Sequence, residues 1–333
     1  MASHDIKRKH HYLPRWYLAG FTPSGREDDS LLVFDLAARE IRSARPETVG
    51  YENWLYAVNV PWIRLDAFED LLADEYDSPA ATALKRTCVT CSLLPDDREV
   101  LVEFASLLIV RSPRFRLEIE SGLRECMGKP LEQAVDDLDS WQWVWEYASQ
   151  PGSCSDPGYR RLLSLVFPSS AQSAAGHPSR DDVAAGLSRL GGADVKAQLW
   201  RVLVMWVTYP MLAANLNKKV WSLRISDVSG EFVCSDSPVR VAWSEDQVAM
   251  DEPKYADMAS LVTLPLDRHT VAVAGLDDSP TTRAIPIAAV AQANSQTIRR
   301  AARFLFAPST DCPFSKSDGE IGICKDVFCL ISK

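Results

Sequence analysis

The spacing of apolar residues changes twice along this 333-residue chain, and that change restricts the fold more than any single motif. Before residue 63 the apolar runs are short. Residues 31–36 (LLVFDL) read as a strand, 37–40 as its turn, 40–45 as the returning strand, and 53–60 (NWLYAVNV) as another apolar, aromatic-rich segment. From 63 to 217 a helical period dominates. Phe68, Leu71, Leu72 and Tyr76 fall on one helix face, with Glu69, Asp70, Asp74 and Glu75 off it. Asp96 and Asp97 are placed to cap a long helix whose stripe Val100, Leu101, Phe104, Leu107, Leu108 continues to Arg111, where Pro113 should interrupt it. Shorter helices are expected at 131–148 and 157–166, and a Ser/Pro/Gly/Ala-rich connection at 150–180. A very apolar, buried helix should then run over 194–217.

From Lys219 the strand pattern returns, at 220–225, 231–234, 260–264 and 270–274. Pro286 should open a final amphipathic helix through Phe306, and 327–331 suits a last short strand. Strands at both ends around a helical middle predict an α+β fold. Its mixed or antiparallel sheet core is built from N- and C-terminal segments with a large helical insertion. The boundaries are 1–62 for the N-terminal part of the core, 63–217 for the helical subdomain and 218–333 for the part completing the core.

A net charge of −9 argues against a bulk DNA binder, because each phosphate contact wants a Lys or Arg; a local basic patch on a short stretch of RNA remains compatible. The basic N-terminus has no apolar run behind it, and the apolar stretch 199–216 is broken by Arg201, Pro210 and Asn215. The expected location is therefore the cytoplasm, with no membrane partner. There thiols stay reduced, so the eight cysteines read mostly as small buried hydrophobes. Cys88-Val-Thr-Cys91 has the spacing of half a zinc knuckle, but no second Cys-x-x-Cys follows. No metal site or cofactor is expected. A phosphate-binding loop, a dinucleotide fingerprint, a Gly-x-Ser-x-Gly elbow and a His-Glu-x-x-His helix are all absent.

Three constellations remain. In Lys7-Arg8-Lys9-His10-His11-Tyr12, followed by Arg15, Trp16 and Tyr17, adjacent histidines point to opposite faces of a strand. One imidazole can serve as a general base, metal ligand or phosphate contact. The alternative is a terminal segment docked by its aromatics. In Phe232-Val233-Cys234-Ser235-Asp236-Ser237-Pro238, a strand runs into a polar turn. There Ser235 suits a nucleophile, and Asp236 a cation site or an orienting carboxylate; an Asx turn at a sheet edge is the alternative. Arg111, Arg114 and Arg116 at a helix break can grip phosphate or carboxylate, or simply pair with nearby glutamates. Asn294 lies on a polar stripe with Arg299, Arg300 and Arg303.

His10-His11-Tyr12-x-Pro14-x-x-Tyr17-Leu18-x-x-Phe21 resembles the opening of the domain of unknown function 4238 family of bacteria and fungi. The resemblance continues through Arg111-x-Pro113-x-x-Arg116, Phe232-x-x-Ser235-Asp236-x-Pro238-Val239, Leu264-Pro265-Leu266, Asn294 and Ala302-Arg303. Ser237 stands where the family usually has Asn. Through fungal enzymes similar to this family, the resemblance implies a tRNA-dependent cyclodipeptide synthase, an aminoacyl transferase that makes an arginine-containing diketopiperazine. It would need no cofactor, and its partner would be the aminoacyl-tRNA acceptor end. In that reading His10, His11, Ser235 and Asp236 are catalytic, and Tyr12, Arg15, Tyr17, Arg111, Arg114 and Asn294 hold substrate. Lys7, Arg8 and Lys9, aided by Arg111 and Arg114, contact the tRNA. The alternatives are a nuclease or defence-type effector with a divalent metal on His10 or His11 and Asp236, and a non-catalytic ligand-binding protein.

Overall fold

A computed structural model describes residues 6–60, 63–141, 180–227, 230–243, 260–275, 281–316 and 319–329. In chain order its first half contains β1 (Lys9–His11), α1 (Arg15–Ala19), β2 (Leu31–Asp35), β3 (Glu40–Ala44), β4 (Tyr51–Asn53), α2 (Ala67–Leu72), α3 (Ser78–Thr90), α4 (Pro95–Arg111), α5 (Pro113–Met127) and α6 (Leu131–Ala134). Then come α7 (Arg180–Arg189), α8 (Ala193–Leu216), β5 (Val220–Ser226), β6 (Cys234–Ser235), β7 (Arg240–Trp243), β8 (Ser260–Pro265) and β9 (Thr270–Gly275). The chain continues with β10 (Thr282–Ile285), α9 (Ile287–Arg300), β11 (Phe304–Ala307), β12 (Pro313–Ser315) and β13 (Ile321–Ile323). The fold class is α+β, with mixed and antiparallel sheets and a helical region.

The chain forms two compact units, one of residues 1–10, 52–76 and 115–211, the other of 11–51, 77–114 and 212–333. This division falls elsewhere than the predicted boundaries. The helices α3 and α4 belong with the sheets of the second unit rather than with a single helical insertion.

In the first unit the predicted stripe is buried: Phe68, Leu71, Leu72 and Tyr76 all lie inside. The Tyr76 ring packs 5.5 Å from Trp206 and 5.4 Å from Tyr209, both on α8. Buried indoles are satisfied by backbone, Trp141 Nε1 donating to Val135 O and Trp200 Nε1 to Ser140 O, each at 3.0 Å. By length and composition α8 could cross a membrane, but 61% of its most apolar window is buried within the protein, as in a core helix of a soluble protein.

The second unit holds two larger sheets. One has the order β10-β5-β9-β8-β7, antiparallel except for the parallel β10–β5 edge. The other has the order β3-β2-β11-β6, so its N-terminal hairpin is completed by C-terminal strands. The β2–β3 hairpin turns where Asp35 Oδ1 accepts the N–H groups of Ala37 and Ala38, with Arg39 in the left-handed region at φ 58°. Phe34, Val233, Leu305, Ala307 and Ile298 bury together against this sheet.

Several predicted elements differ, each for a local reason. The final helix ends at Arg300 instead of Phe306, because Asp236 takes the N–H groups of Ala302, Arg303 and Phe304 and turns the chain into β11. Strand pairing before β6 is confined to Cys234–Ser235, since the Phe232 N–H goes to Arg268 O and the Val233 N–H to Asn294 Oδ1. The helix α4 starts after Leu94; Asp97 pairs with Arg86 instead of capping. Of the 53–60 region only Asn53, the end of β4, is strand; the predicted 131–148 helix is α6 followed by a 3-10 turn, Leu138–Trp141, as far as Trp141, and 142–148 lie outside the described residues. Residues 324–329 form a 3-10 turn rather than a strand. The predicted 157–166 helix, the connection up to 179 and residues 330–331 lie outside the described residues.

Candidate functional site

In the first unit His10 is wholly buried, and both ring nitrogens are engaged by backbone. The Tyr56 N–H donates to Nδ1 at 3.0 Å, which assigns the ring proton to Nε2, and Nε2 donates to Lys7 O at 3.0 Å. Burial pushes this imidazole below its ordinary value and keeps it neutral. Stacking on Tyr56 at 5.8 Å completes the setting. Lys7 donates its backbone N–H to Asp66 and pairs through Nζ with Asp70 at 2.7 Å. Arg8 and Lys9 are exposed.

The rest of the signature lies in the second unit. The half-buried His11 ring stands 5.4 Å from Tyr51, and its carbonyl accepts from Arg111. The side chain of Arg111 is fully buried and also holds Asp77 Oδ1 at 2.8 Å, while Arg114 is half-buried. The predicted helix break is real, with Ser112 extended between α4 and α5. The N–H groups of Tyr12 and Leu13 share Gly50 O, and Gly50 is required there: its φ is +66°, and a Cβ would meet Leu18 at 2.8 Å. Arg15 is exposed. Tyr17 is buried and donates its hydroxyl to Pro265 O at 2.6 Å; burial raises its pKa well above the ordinary phenol value.

Asp236, Ser235 and Asn294 form a buried clasp. The Asp236 carboxylate accepts three N–H groups at 2.8–3.0 Å, which favour its charge, yet burial outweighs them and raises its pKa. Ser235 is buried, and its Oγ accepts the Ser237 N–H at 3.2 Å. Asn294 accepts the Val233 N–H at 3.0 Å and donates to Glu231 O and Pro313 O, both at 2.8 Å. These groups tie α9, β6, β11 and β12 together through main-chain bonds.

A cavity of about 700 Å³ opens elsewhere in the same unit. Trp16 and Tyr17 of the signature helix α1, with Gly20 just after it, line the cavity together with the turn between β8 and β9, Leu266-Asp267-Arg268-His269. The close approach is specific: the Arg268 N–H donates to Gly20 O at 3.0 Å, and a Cβ on Gly20 would stand 3.1 Å from that of Asp267. Asp267 Oδ1 accepts the N–H groups of His269 and Thr270 at 2.8 and 2.7 Å and so shapes the turn. The imidazole of His269 is exposed. From α3 come Leu84, Lys85 and Cys88, and from the loop after α1 come Arg26, Glu27 and Asp28. Arg268 pairs with Glu231 at 3.2 Å and Arg26 with Asp28 at 2.9 Å. Trp16 packs 5.0 Å from Phe104, and its buried Nε1 has no hydrogen-bond partner among the described residues. Burial first, then the Asp267 carboxylate, pushes the Cys88 thiol far up, so it remains protonated.

The structure thus brings Tyr17 to the cavity wall and leaves Ser235, Asp236 and Asn294 in the clasp. Sequence reasoning passed over Lys85, Asp267, Arg268 and His269. Their signal was available: a charged turn between two strands is as good a place for function as the Ser235–Asp236 turn.

Fold and site define an α+β protein with a small-molecule-sized cavity lined by a polar strand turn and an N-terminal aromatic helix. The chain belongs to the DUF4238 family, described as proteins of unknown function, whose sequence model matches residues 9–311. No curated protein and no solved structure matches it.

Proposed function

We propose that this protein is a cytosolic aminoacyl transferase that uses aminoacyl-tRNA, arginyl-tRNA first, to form a diketopiperazine, and that the cavity of the second unit receives the aminoacyl end. The observation that carries the reading is the wall shared by the family's signature helix and the Asp267–His269 turn, with mixed charge around about 700 Å³. That size lies within the usual range of small-molecule sites. Asp267, Glu27 and Asp28 suit a guanidinium or α-ammonium, Lys85 suits phosphate, and Trp16 offers a ring face.

The chemistry asks little of the protein. In the first transfer an α-amine attacks an ester carbonyl, a C–N bond forms, and the C–O bond to the tRNA ribose breaks. The amine proton leaves to a base and returns to the 3′ oxygen. Ring closure repeats the exchange on the second ester. An activated ester needs positioning and a proton acceptor more than it needs a covalent nucleophile. His269 takes the acceptor role, since an imidazole is the side chain suited to proton exchange near neutral pH. This assignment moves the catalytic role from His10, His11, Ser235 and Asp236, none of which lines the cavity, to a residue that does.

Small molecules from cells expressing wild type, His269→Ala and Asp267→Ala should be compared by mass spectrometry. An arginine-containing diketopiperazine present with wild type and lost in both folded variants is the expected result. Its absence with well-folded wild-type protein overturns the synthase reading. Binding of arginyl-adenosine without turnover would then indicate a ligand-binding protein, and metal-dependent RNA cleavage a nuclease.

A further inference from the structure

The strands β12 and β13 pair antiparallel, with Pro313 opposite Ile323 and Ser315 opposite Ile321. One step further along this register, Cys312 lies opposite Cys324, and the Cys324 N–H donates to Cys312 O at 2.9 Å. Directly opposed residues in a hydrogen-bonded antiparallel pair hold their Cα atoms about 5.5 Å apart, inside the span a disulfide bridges. Opposed side chains also share a sheet face. Both cysteines sit in the same buried cluster as Phe314 and Val327, and both are free thiols here.

We infer that Cys312 and Cys324 are a redox-active pair, forming a reversible cross-strand disulfide with a small-molecule disulfide such as glutathione disulfide as oxidant. The two sulfurs are unequal in a useful way. Cys312 Sγ receives the Cys324 thiol, which holds Cys312 below the ordinary thiol value and Cys324 well above it. Ser309 flanks Cys312, its Oγ 3.8 Å from Sγ. With Ser309 beside it, Cys312 serves as the attacking sulfur and Cys324 as the resolving one.

In the first exchange the Cys312 thiolate attacks one sulfur of glutathione disulfide, and one glutathione thiolate leaves. In the second, Cys324 loses its proton and attacks the Cys312 sulfur of the mixed disulfide, releasing the other glutathione. Two protein thiols are oxidised and one disulfide is reduced to two thiols, which keep the two protons. Access comes from the hairpin itself. It is a separate two-stranded sheet whose Ile321 and Ile323 are 44% and 37% exposed, and local opening of this edge of the buried cluster would bring the two sulfurs to solvent. Asn294 and Ser295 hold its strand β12 through Pro313 O and Ser315 O, so the bond would lock the hairpin beneath α9.

The test is made on the purified full chain, incubated with glutathione disulfide, alkylated and mapped by mass spectrometry. A Cys312–Cys324 linked peptide that dithiothreitol releases is expected, with a rise of a few degrees in the unfolding midpoint of the oxidised form. In Cys324→Ser the rise should vanish, and Cys312 should accumulate as its glutathione adduct. The exposed Cys126 reports that the oxidant is active. Alkylation of both Cys312 and Cys324 while Cys126 is glutathionylated would overturn the inference, as would a disulfide of either with another cysteine. The wild-type map alone decides the matter if the variant does not fold.

Discussion

Asp236 and Asp267 each follow a strand and each accept backbone N–H groups, yet the two turns serve different ends. Asp236 is 1% exposed, and both its oxygens are taken by three main-chain donors. Its neighbours Ser235 and Asn294 are likewise spent on backbone. Asp267 shapes its turn with Oδ1 alone, is half-buried, and stands beside an exposed imidazole at a cavity. Polar residues packed closely in sequence thus mark a joint of the fold in one region and the lining of a cavity in the other. The distinction lies in which atoms the backbone has already claimed. His10 in the first unit follows the same logic as Asp236.

The contrast is broken most directly at the clasp. Asp236→Ala strands three amide donors, and a loss of roughly 3 kcal/mol or more is expected from the cost of unpaired buried polar groups. Urea unfolding checks this, and an unchanged midpoint would remove the structural reading of Asp236. Asn294→Ala deserts one N–H and two carbonyls that accept from its amide, so a smaller loss of about 2 kcal/mol is expected by the same measurement.

His10 sharpens the comparison through pH. Its folded pKa is depressed, so as pH falls the unfolded chain takes up this proton before the folded one does. The stabilisation from His10 is complete above the unfolded value of 6.5 and is lost as pH falls from there through the lowered folded value. Unfolding midpoints taken from about pH 7.5 down to about pH 5 should therefore drop more in wild type than in His10→Gln. Equal slopes would mean that the ring is not held neutral.

The smallest effect on stability belongs to the cavity. His269→Ala should leave the unfolding midpoint where it is while abolishing product formation or ligand binding. Trp16→Phe keeps the packing on Phe104 and removes an N–H without a hydrogen-bond partner among the described residues. It should not destabilise the protein, and because the lost N–H is buried and a ring face remains at the cavity, ligand binding should change little. A large drop in stability for either variant would assign these residues to the scaffold and erase the contrast between the two turns.

Much of the fold was legible because it rests on local periodicity. The Phe68–Tyr76 stripe, the break at Pro113, the α8 helix and the β2–β3 hairpin each declare themselves within a few residues. Where the reading failed, a partner distant in the chain intervened. The final helix stops short because Asp236, more than sixty residues earlier, captures its next three amides. The structural ties of the candidate residues were hidden for the same reason: the density of His, Ser, Asp and Asn was visible, but their partners Tyr56, Phe304 and Pro313 were not.

The sequence alone determined the class of fold, the strand-forming ends and helical middle, and the family, because hydrophobic period and short motifs are local properties of the chain. Only the tertiary structure decided how the helices divide between the two units, and that Cys312 faces Cys324. It also decided that the signature helix and the Asp267–His269 turn line one cavity. These depend on strand register and burial, where a shift of one residue reverses the face of every side chain. No local pattern carries that information.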